Sequence, residues 1–160
     1  MTQSWIGFAL LVATCTGSVR AADPTLPPKR LAALLGWLRA GAYREAYTPE
    51  PAVRVSSSAH GMHVRSWYSP ALVADLVAGT VPFRPGVAMV KELYFAGTET
   101  PVGWSVMRKV RRRSVGGRGW FFFETLDGRR AIARGRGVGI CIGCHAAGTD
   151  FLLSEFRPAP

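Results

Sequence analysis

The sequence predicts an α+β fold, with a mostly antiparallel β-sheet and flanking helices. An amphipathic helix is expected first, because the leucines between Lys29 and Arg39 recur at helical spacing after a proline-rich approach, and Pro49 with Pro51 stops the pattern. After residue 60 the pattern changes to strands, interrupted by one short helix. Strands that do not alternate with long helices favour antiparallel pairing over a parallel sheet.

The second part of the chain contains four predicted strands and one short helix. Ser69 is a suitable N-cap for that helix, with Pro70 in its first turn and Gly79 at its end. An arginine- and glycine-rich loop joins the last two strands. The predicted strands are Met62–Tyr68, Val87–Phe95, Gly103–Val110 and Trp120–Thr125.

The N-terminus has the pattern of an export signal. A short apolar run from Trp5 to Ala13 is followed by small residues that allow cleavage after Ala21 or Ala22. We therefore expect a signal peptide over residues 1–21, one domain over residues 22–160, and a periplasmic location. Two features depart from this pattern: the first four residues lack Lys and Arg, and Cys15 offers a lipid-anchor alternative that the preceding threonine fits poorly.

The most specific motif is C-x-x-C-H, formed by Cys141, Cys144 and His145 close to the C-terminus. This motif is typical of covalent haem attachment, in which both thiols bond to the haem and the histidine is an axial iron ligand. A redox disulfide and half of a zinc site are the alternatives. Zinc needs about four ligands, and the chain adds only Cys15, His60 and His63 as distant candidates. The sequence therefore predicts haem c, an iron cofactor, with His145 as the metal ligand.

The second axial position of the iron has no evident ligand in the sequence. The candidates all precede the motif, and each is expected to be a core or surface residue instead. An open iron site, able to bind a small ligand, is therefore the leading expectation. These candidates are Met62, Met89, Met107, His60 and His63.

Lys91 is the one charged residue in an apolar row of a predicted strand. With a period of two it shares a face with Val87, Met89, Leu93 and Phe95. A buried ammonium is unfavourable, so this lysine must extend to solvent, pair with an anion, or lose its charge.

From about His60 onward the chain resembles the cytochrome P-460 family, which includes the cytochromes c′-beta. The matching features, in chain order, are Leu72 to Gly79, Phe83-Arg84-Pro85-Gly86, Val90-Lys91-Glu92-Leu93, Gly119-Trp120, the C-x-x-C-H motif and Asp150-Phe151. The resemblance implies a haem c attached near the C-terminus of an antiparallel sheet, with its distal side open. Members of the P-460 type oxidise hydroxylamine and carry a lysine bonded to the porphyrin, and Lys91 resembles that lysine. Members of the c′-beta type bind nitric oxide.

One departure from the family leaves the activity open. Hydroxylamine-oxidising members carry a distal carboxylate on the strand after the lysine strand, where this chain has Ser105 and no acidic residue. Glu92 and Glu99 are the candidate substitutes. The run Phe121–Phe123 is expected either to form an apolar distal wall or to fill the core on both faces. The chain is thus either a hydroxylamine-oxidising haem enzyme or a non-enzymatic electron-transfer or gas-binding cytochrome.

The chain is strongly basic, with 20 Lys and Arg against 10 Asp and Glu. Much of the charge lies in two clusters, Arg108–Arg113 and a second group formed by Arg118, Arg129, Arg130, Arg134 and Arg136. For an exported haem protein we expect an acidic redox partner, an anionic membrane or the haem propionates to meet this charge, and no nucleic acid. The other expected partner is a small nitrogen ligand or substrate. The oligomeric state stays open, and a homodimer is one possibility.

Overall fold

The computed structural model describes residues 23–56, 60 and 63–154. The predicted signal peptide over residues 1–21 lies outside the described residues, as do Cys15 and Met62. In the part of the chain that is described, no helix is long and apolar enough to cross a membrane.

The described residues form one sheet of seven strands and three α-helices. All strand pairs are antiparallel, in the order β1-β3-β4-β5-β6-β7, and β2 also pairs with β3. The predicted α+β class with a mostly antiparallel sheet is therefore confirmed. The elements are α1 (Leu31–Arg39), β1 (Thr48–Pro49), β2 (Arg54–Val55), β3 (His63–Tyr68), α2 (Pro70–Val77), β4 (Ala88–Tyr94), β5 (Gly103–Lys109), β6 (Trp120–Thr125), β7 (Ala133–Arg136) and α3 (Gly139–His145).

Helix α2 begins where the sequence predicted, at the Ser69 cap. The Ser69 hydroxyl accepts a hydrogen bond from the backbone N–H of Leu72 at 3.3 Å, and Pro70 occupies the first turn. The same hydroxyl accepts from the backbone N–H of Ala88 at 2.9 Å. One side chain thus caps α2 and ties the helix to the start of β4.

The two faces of the sheet pack against different helices. On the face we call the α1 face, Val90, Val106, Phe121 and Phe123 pack with the leucines of α1. On the opposite face, called the α3 face, the core is completed by α2 and α3. Its members include Met89, Met107, Trp120, Phe122, Leu72, Phe83 and Leu152, with Cys141 and Ile142 packed against them. The aromatic run Phe121–Phe123 therefore fills the core on both faces, which was one of its two predicted roles.

The strand register places a row of polar side chains across the α3 face. Lys91 of β4 pairs with Ser66 on one side and Ser105 on the other. Ser105 in turn pairs with Glu124 of β6. Because directly paired residues of neighbouring strands share a face, Lys91, Ser105 and Glu124 form one row beside α3.

Candidate functional site

A cavity of about 510 Å³ lies between the α3 face and α3. It is lined by Cys141, Cys144 and His145 of α3 and by Lys91 of β4. Its size falls in the range of roughly 300–1,000 Å³ that is usual for small-molecule and cofactor sites. The fold thus brings together all four site residues that the sequence predicted.

The two cysteines of the motif are free thiols with different exposure. Cys141 is half-buried and Cys144 is exposed. Burial raises the pKa of the Cys141 thiol to about 11, with smaller contributions from Glu124 and Cys144. Reactive cysteines of C-x-x-C redox motifs have lowered pKa values, so Cys141 differs from them in the direction of its shift.

His145 is buried, and one of its ring nitrogens is already engaged. Its Nδ1 lies 2.9 Å from the backbone carbonyl oxygen of Phe151. Since a carbonyl can only accept, Nδ1 carries the proton and Nε2 of the neutral ring is left with a lone pair. Burial lowers the pKa of His145, which favours this neutral form. The hydrogen bond to Phe151 opposes this shift, and the charge of Lys91 adds to it. This arrangement is the usual one for a histidine that binds a metal.

Lys91 is only 8% exposed. Burial lowers the pKa of its ammonium, and the nearby positive charge of Arg54 adds to the effect, while Glu50 and Glu124 oppose it. The sequence left three alternatives for this lysine: extension to solvent, pairing with an anion, or loss of its charge. The lowered pKa favours loss of the charge. A lysine closer to neutrality is a better nucleophile than an ordinary surface lysine.

Among the described residues that line the cavity, Glu124 is the acidic one, and it was not among the predicted site residues. Its carboxylate Oε1 lies 2.5 Å from Nδ1 of His60, and both side chains are largely buried, with 14% and 12% exposed. Glu124, His60 and Arg54 all line the cavity. The sequence contained a signal for this placement. Side chains two residues apart on a strand share a face, so Glu124 lies on the same face as Phe122.

The two predicted substitutes for the distal carboxylate are both wrong. Glu92 follows Lys91 directly, so it points to the α1 face, where its carboxylate accepts hydrogen bonds from Tyr43, Arg44, Trp67 and Tyr94. Glu99 is exposed in the loop after β4. Neither belongs to the described lining of the cavity.

The structure places the candidates for the second axial position in different surroundings. Met89 and Met107 are 3% and 1% exposed and pack in the core of the α3 face. His63 alternates with Val64 and so falls on the α1 face, whereas His60 lines the cavity and is bonded to Glu124. Among the described candidates, His60 is thus the one brought to the cavity.

The predicted arginine clusters do not belong to the described lining of the cavity, where Arg54 is found instead. Arg134 and Arg136 of β7 pair with Phe123 and Phe121, which places them on the α1 face, and both are exposed. A partner meeting these two arginines would therefore contact the side of the sheet away from the cavity.

No protein-family model and no curated protein matches this chain. Within the described ranges, no group of three or more His, Cys, Asp and Glu side chains is placed to hold a metal ion. A haem needs far fewer protein ligands than zinc does, because its own ring supplies four nitrogens to the iron. The function is therefore argued from the geometry of the cavity.

Proposed function

We propose that this chain is a c-type haem protein, with haem bonded to Cys141 and Cys144 and with His145 as an axial iron ligand. The observation that carries the proposal is the convergence of these three residues with Lys91 on one cavity. Following the resemblance, we further propose that the protein is an exported, periplasmic member of the cytochrome P-460 family.

The apolar rim of the cavity supports a haem more than a smaller ligand. Leu126, Ile132, Ile140 and Leu153 line the cavity and are 42%, 56%, 72% and 41% exposed. Clustered exposed apolar side chains mark a surface that is covered in the working protein. A large flat macrocycle lying against α3 would cover such a rim, whereas a zinc ion or a disulfide would leave it in water.

The protonation states of the motif residues also favour a haem over thiol redox chemistry. The raised pKa of Cys141 disfavours a reactive thiolate, which a redox disulfide would need. His145 has its Nδ1 proton held by the Phe151 carbonyl, so that Nε2 is the nitrogen available to iron.

We propose oxidation of hydroxylamine, or of a similarly small reduced nitrogen compound, as the reaction. When bound, the haem iron supplies a coordination position for the substrate and takes up its electrons. Glu124 can accept a proton from the substrate, and His60, 2.5 Å from its carboxylate, can pass the proton on. Lys91 lies in the same row and, following the resemblance, is the residue that would be bonded to the macrocycle. Such a bond would replace one N–H bond of the amine and one C–H bond of the ring, and it would need a two-electron oxidant from outside the chain.

The first experiment tests covalent attachment. We expect the mature protein, made with haem-maturation machinery, to keep its haem in denaturant and to show the added mass of a haem. Cys144→Ser should weaken or abolish this retention. Gly143→Ala is the matched control, because a Cβ at this intervening position meets no atom within 4 Å. Release of the haem from the denatured wild type would overturn the proposal.

The second experiment tests the reaction at the open iron site. The ferrous protein should bind carbon monoxide. The ferric protein should oxidise hydroxylamine, with an artificial electron acceptor taking up the electrons from the iron. Glu124→Gln should lower that rate by roughly 10²- to 10⁴-fold, the usual contribution of a positioned base. Glu99→Gln, in the exposed loop, should leave the rate unchanged.

Two results would point to the non-enzymatic alternatives. Carbon monoxide binding without any turnover would favour a gas-binding cytochrome. A six-coordinate low-spin spectrum that does not respond to carbon monoxide would favour an electron carrier.

A further inference from the structure

The chain makes a strained turn directly after the C-x-x-C-H motif. Asp150 and Phe151 have φ angles of 47° and 69°, a left-handed conformation that residues other than glycine rarely adopt. Gly148 begins the turn, and a Cβ at this position would lie 2.3 Å from the backbone oxygen of Leu152. Two consecutive strained residues persist only where the surrounding structure holds them, and such strain often occurs at functional sites.

Asp150 is held through both its side chain and its backbone. Its carboxylate accepts a hydrogen bond from the backbone N–H of Phe83 at 2.9 Å and forms an ion pair with Lys109. Its backbone carbonyl accepts from the indole N–H of Trp120 at 2.7 Å. The turn is therefore fixed to β5, to β6 and to the segment before β4.

Lys109 is an unusual residue to find at this place, because its side chain has no exposed surface. Its ammonium group contacts Asp150, donates to the hydroxyl of Ser114 and lies 4.9 Å from the centre of the Trp120 ring. Buried ion pairs seldom stabilise a fold more than well-packed apolar residues would, so a role in fixing one geometry is the better explanation.

The turn contacts His145 through Phe151, the residue after Asp150. The backbone carbonyl of Phe151 follows Asp150 and is the group that engages Nδ1 of His145 at 2.9 Å. Two further bonds close the turn, from Gly148 N–H to His145 carbonyl at 3.0 Å and from Leu152 N–H to Thr149 carbonyl at 2.9 Å.

We propose that Lys109 and Asp150 are positioning residues for His145. They hold the turn so that the Phe151 carbonyl accepts a hydrogen bond from Nδ1–H of His145, which fixes the orientation and tautomer of the ring and leaves Nε2 for the iron. This inference rests on the proposed function, in which His145 is the axial ligand.

The inference predicts an effect on the bond between iron and His145. A hydrogen bond from Nδ1 to a carbonyl makes the imidazole a stronger ligand. When Lys109→Met loosens the turn, the iron–histidine stretching frequency of the ferrous protein should fall and the reduction potential should rise. Ser114→Ala, which removes one partner of the ammonium, should shift both quantities in the same direction by less.

The control is Arg44→Met, which removes the cationic partner of another buried carboxylate, Glu92, on the opposite face of the sheet. Its stretching frequency and potential should equal those of the wild type. Equal values in all four proteins would overturn the inference. If Lys109→Met does not accumulate as folded protein, Ser114→Ala decides, and an unshifted frequency in that variant overturns the inference.

The failure of the proposed function has a different signature, namely a wild type without bound haem. The ¹⁵N spectrum of the His145 ring in that purified protein then tests the positioning role. A single neutral tautomer protonated at Nδ1, which becomes a mixture in Lys109→Met or Ser114→Ala, supports the role. The same tautomer ratio in the wild type and the variants overturns it.

Discussion

Replacing Glu92 by leucine should destabilise the fold strongly without removing the proposed haem site. The carboxylate is fully buried and accepts from Arg44 at 2.8 Å, from Trp67 at 2.7 Å, and from the hydroxyls of Tyr43 and Tyr94. Arg44 is 44% exposed at its side chain and can turn to water, but the other three donors belong to side chains that are 8% exposed or less. Each buried donor left without an acceptor costs about 1–3 kcal/mol.

The net loss follows from these terms. Three orphaned donors cost about 3–9 kcal/mol. The added leucine returns about 1.5–3 kcal/mol through burial. We expect the free energy of unfolding to fall by about 4 kcal/mol, the difference between the midpoints of these two ranges. This is a large part of the roughly 5–15 kcal/mol of a typical domain. For a chain of this size the melting temperature should fall by about 10 °C.

The measurement is denaturant unfolding followed by far-ultraviolet circular dichroism, together with carbon monoxide binding by the folded variant. Glu92→Gln keeps one acceptor oxygen and should lose about half as much stability as Glu92→Leu. A loss below about 0.5 kcal/mol, within the range of an ordinary surface substitution, would refute the reasoning. Loss of ligand binding at unchanged stability would place Glu92 in the site.

Three further predictions concern other parts of the molecule. Gly103→Ala should lower the free energy of unfolding by about 1–3 kcal/mol, since its Cβ would lie 2.3 Å from the backbone oxygen of Thr125. Gly36→Ala, in α1 with no atom within 4 Å of a Cβ, should instead stabilise, and chemical denaturation compares the two. In the chain expressed without haem, iodoacetamide should alkylate the exposed Cys144 first. The alkylation rate of Cys141 should keep rising to about pH 11, because burial raises the pKa of its thiol. A plateau of that rate at the usual thiol pKa would contradict this. The pKa of Lys91 in the folded state lies below the ordinary 10.5, so just below pH 10.5 the unfolded chain binds more protons than the folded one. The free energy of unfolding should therefore rise as the pH rises toward 10.5. Lys91→Met should flatten this rise, as measured by urea titrations of the haem-free chain.

The signals that could be interpreted from the sequence were local ones. Ser69 and Pro70 specify a helix start through their own backbone geometry, and the alternation around Lys91 places it on the apolar face of β4. The C-x-x-C-H motif needs one turn of helix to bring its residues to the same place, and α3 provides that turn. Such features depend on neighbours a few residues away.

The sequence by itself determined the elements and the motif, and the tertiary structure alone decided what surrounds them. Alternation separates Lys91 from Glu92, yet only the packing of α1 and α3 on opposite faces decides that Glu92 is structural and that Lys91 faces the cavity. Glu124 lines the same cavity as Lys91 through the register of three strands, and Phe151 contacts His145 through a left-handed turn. Strand register and long-range contacts depend on the free energy of the whole assembled core, which a local pattern does not contain.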